Sequence, residues 1–508
     1  TCLWCHATRI QTDPASTDDV AIVGLGDNTF DAEVYQADSS KVSGTPFPLP
    51  YPHNSTRGGI NAVSDFEFLM VVRDFDTLDL SPFVKTFPVH AHPGDQDPPN
   101  WWNTGMRPRV YMDGGVPADS TRAIMMFLSG DLGADGAAIA NYEQKFEAIK
   151  TYVNSIPSPR FPATDDPSSP WHFDAAKAAE GRTYFHTLNL FADPDPEDPT
   201  NDPQPYANGS CASCHGVYDA AYALPYDPAG GTFGPMPSET KNLTQESRNL
   251  LVGIAGQIVP RNDIGTEPGR SDNLTAELRW AWSTMWWAYP DFNPDYTPPA
   301  AKDPLTEALD DYALPQTNDV LGLVLPKRVQ GVCSWEQEIH GYAAPPLHGI
   351  WASSPYFHNG SVPTVRGVLD PLDPASRPRF WRRKLAAGIE LPDGEREAGF
   401  STSLADYDVA NLGWQVETTG LDECGVPPLV ACDPSQEALN TVIQAGFQLQ
   451  GGVVWLGWQE PDPMSRADIE RRKIYDTRLY GKSNQGHTFT SSLTDRQRDA
   501  IIEYLKTL

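Results

Sequence analysis

The chain has 508 residues, enough for two or three domains and a sizeable core. Proline (48) outnumbers lysine plus arginine (37) and glycine adds 40, which predicts long loops, while 10% aromatics argue against disorder. A net charge of −30 argues against nucleic acid or an anionic membrane surface as partner, and no apolar run reaches the roughly 18 residues of a membrane span.

The chain opens on TCLWCH. Cys2-Leu3-Trp4-Cys5-His6 is the Cys-x-x-Cys-His pattern of covalent haem attachment. Two thiols spaced by two residues reach the two vinyl groups on one porphyrin edge, and the next His sits under the iron as proximal ligand. In bacteria this attachment takes place beyond the cytoplasmic membrane. We therefore expect a periplasmic or secreted protein, with a signal and an N-terminal segment ahead of Thr1 that were removed or lie outside this chain.

In RGGINAVSDFEFL (57–69), Gly59 permits close backbone approach and Ala62 leaves room over a porphyrin. Ordinary helix packing explains the stretch equally well. His90 and His92 in FPVHAHPGD either ligate the first haem or decorate a surface turn; Met70 and Met106 are weaker options. Asn100-Trp101-Trp102-Asn103 puts two indoles in a polar loop, as lid or core aromatics, as a pocket wall, or as a bridge for electrons. Residues 123–128 (AIMMFL) read as core. Ile139, Tyr142, Phe146, Ile149 and Val153 recur in steps of three and four, which predicts a helix with one buried face, ended before Pro157. These features make residues 1–157 a first haem unit that lacks its N-terminal part, and SPRFPATDDPSSPW (158–171) a linker.

The second unit spans 172–508. DAAKAAEGRTYFHT reads as a helix with Asp174 as N-cap. An acidic, proline-loaded insert (193–206) follows. Then comes a second anchor, Cys211-Ala212-Ser213-Cys214-His215. Joining both Cys pairs in one Cys₄ zinc site would not require a His after each. Two covalently bound haem c groups are the expected cofactors. At the end of the chain, Thr494 and Gln497 form a potential capping box ahead of an apolar face of Ile501, Ile502 and Leu505. In a cytochrome c fold the first and last helices pack together, so this is the closing helix. The expected architecture is mainly α with extensive loops and two cytochrome c-like haem domains.

Nine further His compete for the remaining axial positions: His53, His90, His92, His172, His186, His340, His348, His358 and His487. His487, in the flexible turn SNQGHTF just before the closing helix, is the best placed to reach the far face of the second haem. Two imidazoles keep an iron low-spin and closed to substrate, which makes a relay rather than a reaction site. Cys424 and Cys432 bracket CGVPPLVAC, and an oxidising compartment would favour a disulfide there. Cys333 remains, as a buried thiol or as the partner of a residue upstream.

GYAAPPLHGIWASSPYFHNGSVPTVRGVL (341–369), both haem motifs, TYVNSIPSP and SNQGHTF together resemble the bacterial dihaem cytochrome c peroxidases and their MauG-like relatives. In length and haem spacing the chain looks most like the RoxA-like branch, the secreted rubber oxygenases that cleave poly(cis-1,4-isoprene) with O₂. The resemblance implies that Cys2, Cys5 and His6 hold the active haem. It implies that Cys211, Cys214 and His215 hold the second, with His487 as distal ligand. Ala62 would lie beside bound O₂, Trp102 between the haems and Trp101 towards the distal pocket. Tyr111 and Phe127 are the candidates for a substrate-facing aromatic. Partners would be O₂ or H₂O₂, an apolar polymer or small organic substrate, and an electron-donor protein. Two other readings stand beside an oxygenase. Asp65 or Glu67 near Ala62 would suit a peroxidase, and six-coordinate iron in both haems would make an electron carrier without enzymatic activity.

Overall fold

The computed structural model describes residues 2–35, 56–60, 96–107, 109–114, 116–117, 121–125, 136–191, 209–222, 258–273, 341–390, 396–418, 465–479 and 481–508. Ala62, His53, His90, His92, His340, Met70, Asp65, Glu67, Phe127, Cys333, Cys424, Cys432 and the acidic insert lie outside them. Among the described residues, helices are the longest regular elements and no strand exceeds five residues.

The first haem motif runs directly into a hairpin of β1 (Ala7–Gln11) and β2 (Asp19–Val23), paired from Ala7↔Val23 to Gln11↔Asp19. The exit of β2 folds back on the motif. Gly24 N donates to His6 O and Asp27 N to Cys5 O, both at 2.8 Å. Gly26 lies so close to the 98–101 loop that a Cβ there would stand 1.9 Å from Pro98 O. Only glycine permits that approach.

Helix α1 (Gly136–Ser155) ends two residues before Pro157, as the spacing predicts. Its expected buried face is only partly buried. Val153 is 2% exposed, whereas Tyr142 and Ile149 are 42% and 40% exposed. The periodicity gave the helix, but the 3₁₀ turns at 101–106 and 121–124 cover one end of that stripe better than the other.

Helices α2 (Ala175–Thr187) and α7 (Asp495–Leu505) form the main helix pair; the shorter α3 (Ala212–His215) carries the second haem motif. The Asp174 carboxylate accepts from Ala176 N and Lys177 N, capping α2. Thr494 and Gln497 form the reciprocal capping box on α7. The two helices cross at Gly181, where a Cβ would lie 1.8 Å from Ala500 O. Phe185, Ile501, Ile502, Tyr504 and Leu505 fill the space around the crossing.

Between these helices the chain builds small sheets and turns. β3 (Ile258–Pro260) leads into α4 (Arg261–Ile264) and pairs with β4 (Gly341–Ala343). After a short helix α5 (Val365–Leu369), β5 (Phe380–Arg383) is the centre of a three-stranded sheet, with β6 (Val416–Glu417) on one side and β7 (Tyr475–Asp476) on the other. Helix α6 (Arg466–Arg472) precedes β7. Late segments hold the N-terminal hairpin. Arg472 pairs with Asp31 at 2.9 Å, Arg383 Nη1 donates to Asn28 Oδ1 at 2.9 Å, and Gln11 Oε1 accepts from Leu404 N at 2.7 Å.

The crossing at Gly181 has no room for a methyl group. Gly181→Ala should lower stability by about 3 kcal/mol, the upper end of overpacking costs, measured as a drop in the thermal midpoint. An unchanged midpoint would mean that α2 and α7 do not approach this closely.

Candidate functional site

Each haem motif is fixed by the same device. His6 Nδ1 donates to Pro99 O at 2.9 Å, and His215 Nδ1 donates to Pro345 O at 2.9 Å. Each acceptor belongs to a Pro-Pro pair, Pro98-Pro99 or Pro345-Pro346. Donation from Nδ1 fixes the tautomer and leaves Nε2 with a free lone pair, the state a metal-ligating imidazole needs. Burial works in the same direction. It pushes the His6 imidazole down to about 4 and lowers that of His215, against the opposing effect of the proline carbonyls.

The α3 turn is anchored from below. Tyr218 donates its hydroxyl to His215 O at 2.9 Å and accepts from Leu347 N at 2.7 Å. His186, one of the nine competing imidazoles, accepts from Tyr218 N and donates to Arg182 O, so it is a structural residue. His172 bonds Thr164 O.

His487 faces His215 across a cavity of about 280 Å³. The two ring centroids are 6.5 Å apart and their planes differ by 24°. A metal bound by both imidazoles at about 2 Å from each nitrogen puts ring centroids about 6 Å apart, so the spacing fits one iron between them. The cavity wall includes Cys211 and Cys214 and is otherwise largely apolar, with Leu190, Val365, Val368 and Leu505 among its residues. Burial pushes the thiols of Cys211 and Cys214 up to about 12 and about 11. Such a wall suits the uncharged sulfur of a thioether better than the thiolate a zinc site requires. At the first motif Cys5 is likewise pushed up to about 11, chiefly by burial.

His487 is held in place by its backbone. It has φ +54 and follows Gly486 at φ +116, and its N–H donates to Ile264 O at 2.8 Å. Arg377 clamps the turn: its Nη1 donates to Asn484 O (2.9 Å) and Gly486 O (2.8 Å), and its Nε donates to Gly367 O of α5. The same guanidinium lies over Phe357, whose ring stacks 5.1 Å from that of His487. Burial and the nearby charges of His215 and Arg377 push the His487 imidazole down to about 3, so it is neutral at any ordinary pH. Nothing in the sequence around Arg377 marked it as the clamp of this turn, because the turn's carbonyls it binds, Asn484 O and Gly486 O, are more than a hundred residues away.

The tryptophan pair splits its roles. Trp102 is 2% exposed and its Nε1 donates to His348 O at 2.7 Å. Asn103 Nδ2 donates to Pro346 O at 2.8 Å. The loop that accepts from His6 is thereby bonded to the loop that accepts from His215. Trp101, which the resemblance put towards the distal pocket, instead stacks on the His6 ring at 4.7 Å and 27°. Met106 is buried in the core beside Trp102. Tyr111 lines a strained turn at φ +62, and its hydroxyl is pushed up chiefly by burial.

With this geometry in view, the comparisons fall into place. Residues 341–382, which carry the Pro345 acceptor, match the family model described as RoxA-like, cytochrome c-like. Two proteins of Sinorhizobium fredii (strain NBRC 101917 / NGR234) are similar over parts of the chain. One, described as uncharacterized protein y4iM, is 29% identical over 126 residues, 24% of this chain and 24% of its own length. The other, uncharacterized protein y4iJ, is 27% identical over 176 residues, 33% of this chain and 18% of its own. The chain thus spans a quarter or less of the length of the curated relatives it matches. A RoxA-like cytochrome c-like domain is consistent with haem c and with a haem-dependent oxidoreductase. Among the described residues no helix is long and apolar enough to cross a membrane.

Arg377 bears directly on the His215–His487 pairing. Arg377→Ala should leave the buried carbonyls of Gly367, Asn484 and Gly486 unpaired, at a cost of about 2–4 kcal/mol, and release His487. The readout is loss of a low-spin, two-imidazole paramagnetic-resonance signal in a variant whose haem content is unchanged. Retention of that signal would remove Arg377 from the clamp.

Proposed function

We propose that the protein is a periplasmic or secreted dihaem c-type cytochrome that activates O₂ at the haem held by Cys2, Cys5 and His6, with the haem held by Cys211, Cys214 and His215 as electron relay. The observation that carries this reading is the pairing of His215 with His487 at 6.5 Å, bonded through one chain of contacts to His6. Haem supplies the redox-active iron in both units; the residues decide what each iron does. His215 and His487 would hold the second haem between them, which would close that site to substrate. At the first, Trp101 stacks on the His6 ring, and Ala62 is the proposed neighbour of O₂.

The relay path runs from the His6 imidazole to Pro99 O, along the backbone to Trp102, across its N–H to His348 O, and back along Leu347 and Pro346 to Pro345 O and the His215 imidazole. Every through-space step on it is a hydrogen bond of 2.7–2.9 Å. Burial disfavours the protonated form of both imidazoles, and the proline carbonyls hold both rings in orientation.

We favour a rubber-oxygenase-like dioxygenase. Cleaving an olefinic C=C bond with one O₂ yields two carbonyl ends and needs no external electrons. It also needs no acid–base group to break a peroxide bond at the outset. The match of residues 341–382 to a RoxA-like model supports this choice over a general haem carrier.

Reduced protein should bind one CO per two haems and should consume O₂ in the presence of polyisoprene latex, releasing carbonyl-ended fragments. Turnover of H₂O₂ with an electron donor and none with latex would make the protein a peroxidase. Failure of either haem to bind CO would make it an electron carrier. The relay has its own test. Trp102→Phe keeps a ring but removes the N–H, and should slow electron exchange between the haems by about tenfold or more, the equivalent of about 1.4 kcal/mol, in stopped-flow reduction followed at both haems. An unchanged rate would exclude Trp102 from the path.

A further inference from the structure

The cavity between His215 and His487 is not apolar throughout. Two unusual groups stand on its wall, both beside β4. The first is Arg107. Its Nη2 donates to Tyr111 O at 2.8 Å and Ala343 O at 3.4 Å. Both acceptors are neutral carbonyls. Asp113, whose charge acts on Arg107, is engaged at 2.6 Å by Arg270. Among the described residues lining the cavity, Arg107 is the sole Lys or Arg. A buried guanidinium whose carboxylate neighbour is shared with another arginine gains from a further anion; burial pushes Arg107 down to about 10, against the charge of Asp113.

The second group is His358. Its ring stacks on Tyr342 at 4.2 Å and 26°. Its Nε2 is buried without a hydrogen-bond partner and lies 3.5 Å from Glu267 Oε2. Both oxygens of Glu267 already accept from Gly269 N at 2.9 Å, and Tyr342 donates to Glu267 O rather than to its carboxylate. The cavity therefore presents two donors, on Arg107 and His358, separated by the Tyr342-Ala343 strand.

Of the acids near this end, Glu267 lies 3.5 Å from His358 Nε2 and already accepts from Gly269 N. Asp97 is pushed well above the usual carboxylate range by burial, against the charge of Lys482, which disfavours its charged form. Asp263 acts electrostatically on Cys214, at the thioether end. A haem c joined through its vinyl groups carries two propionates on the opposite edge of the macrocycle, which is where unpaired donors are needed.

We propose that Arg107 and His358 form the carboxylate-binding end of this cavity, a cradle for the propionates of the haem anchored at Cys211 and Cys214. The inference rests on the haem reading of that cavity and adds to it the residues that set the orientation and charge balance of the group. Arg107 neutralises one propionate, and His358 donates from Nε2 to the other. Removing the cation leaves more negative charge beside the iron, favours the ferric state and lowers the potential.

The test is a redox titration of the intact dihaem protein combined with resonance Raman spectra of the propionate bending modes. Arg107→Gln should lower the midpoint potential of the second haem and shift its propionate bands, with the first haem unmoved; Arg107→Lys should restore the potential but not the bands. His358→Gln, which keeps a donor but loses the ring, should shift the propionate bands with little change in potential, and tests the cradle independently should the Arg107 variant fail to accumulate. Unchanged potential and bands of the second haem in both variants, at normal haem content, would overturn the cradle while leaving the haem reading intact. Wild-type protein without haem on Cys211 and Cys214 would overturn both.

Discussion

The structure depends on one repeated constraint: a neutral imidazole whose Nδ1–H is spoken for by a proline carbonyl. His6 and His215 each sit at the end of a short, tightly turned motif that has no means of orienting its own ring. The orientation comes from a loop far along the chain, at Pro99 for one and Pro345 for the other. A haem ligand must be deprotonated at Nε2 and rigid, and the proline carbonyl contributes to both. The N-terminal hairpin, the Tyr218 anchor and the Trp102 and Asn103 crosslinks all keep these two loops where the imidazoles need them.

Much of this was legible in the sequence, and the reasons are local. The two Cys-x-x-Cys-His motifs are contiguous, so their chemistry is readable without a fold. Asp174 and the Thr494–Gln497 box act within three residues of themselves, and both cap helices as their positions imply. His487 stood out because glycine precedes it and a helix follows it, and the structure does bring it opposite His215. What stayed hidden is non-local. Arg377 acts on carbonyls at positions 367, 484 and 486, and the residue type alone gives no hint of that. Trp101 and Trp102 looked alike in sequence, yet one stacks on an imidazole and the other spans to another loop. The burial of α1 was overestimated for a related reason: a period of 3.6 defines a face without saying what will cover it.

The composition also acquires a physical meaning. A chain of net charge −30 would seem poorly suited to hold a dianionic porphyrin edge in its interior. The interior is nevertheless rich in cations: Arg270, Arg383, Arg472, Lys473 and Lys482 are all 5% exposed or less. Several are matched by internal carboxylates, such as Arg270 by Asp113 and Arg472 by Asp31 and Asp468. Among the described residues buried cations and buried acids thus occur together, as with Asp113, Glu267 and Glu503.

Proline abundance follows from the same demand. A loop that must present one carbonyl to one imidazole benefits from a backbone with few alternatives. In Pro98-Pro99 and Pro345-Pro346 the ring fixes φ, and the proline that follows restricts the residue before it. Neither ring nitrogen carries a proton, so no extra donor has to be satisfied beside an apolar macrocycle. The entropy lost on ordering such a loop is also small, because the unfolded chain was already restricted. A glycine-rich loop could reach the same place, but its carbonyl would wander, and the tautomer of the ligand with it. Proline here does in a loop what regular hydrogen bonding does in a helix: it fixes the direction of a peptide group without help from its neighbours.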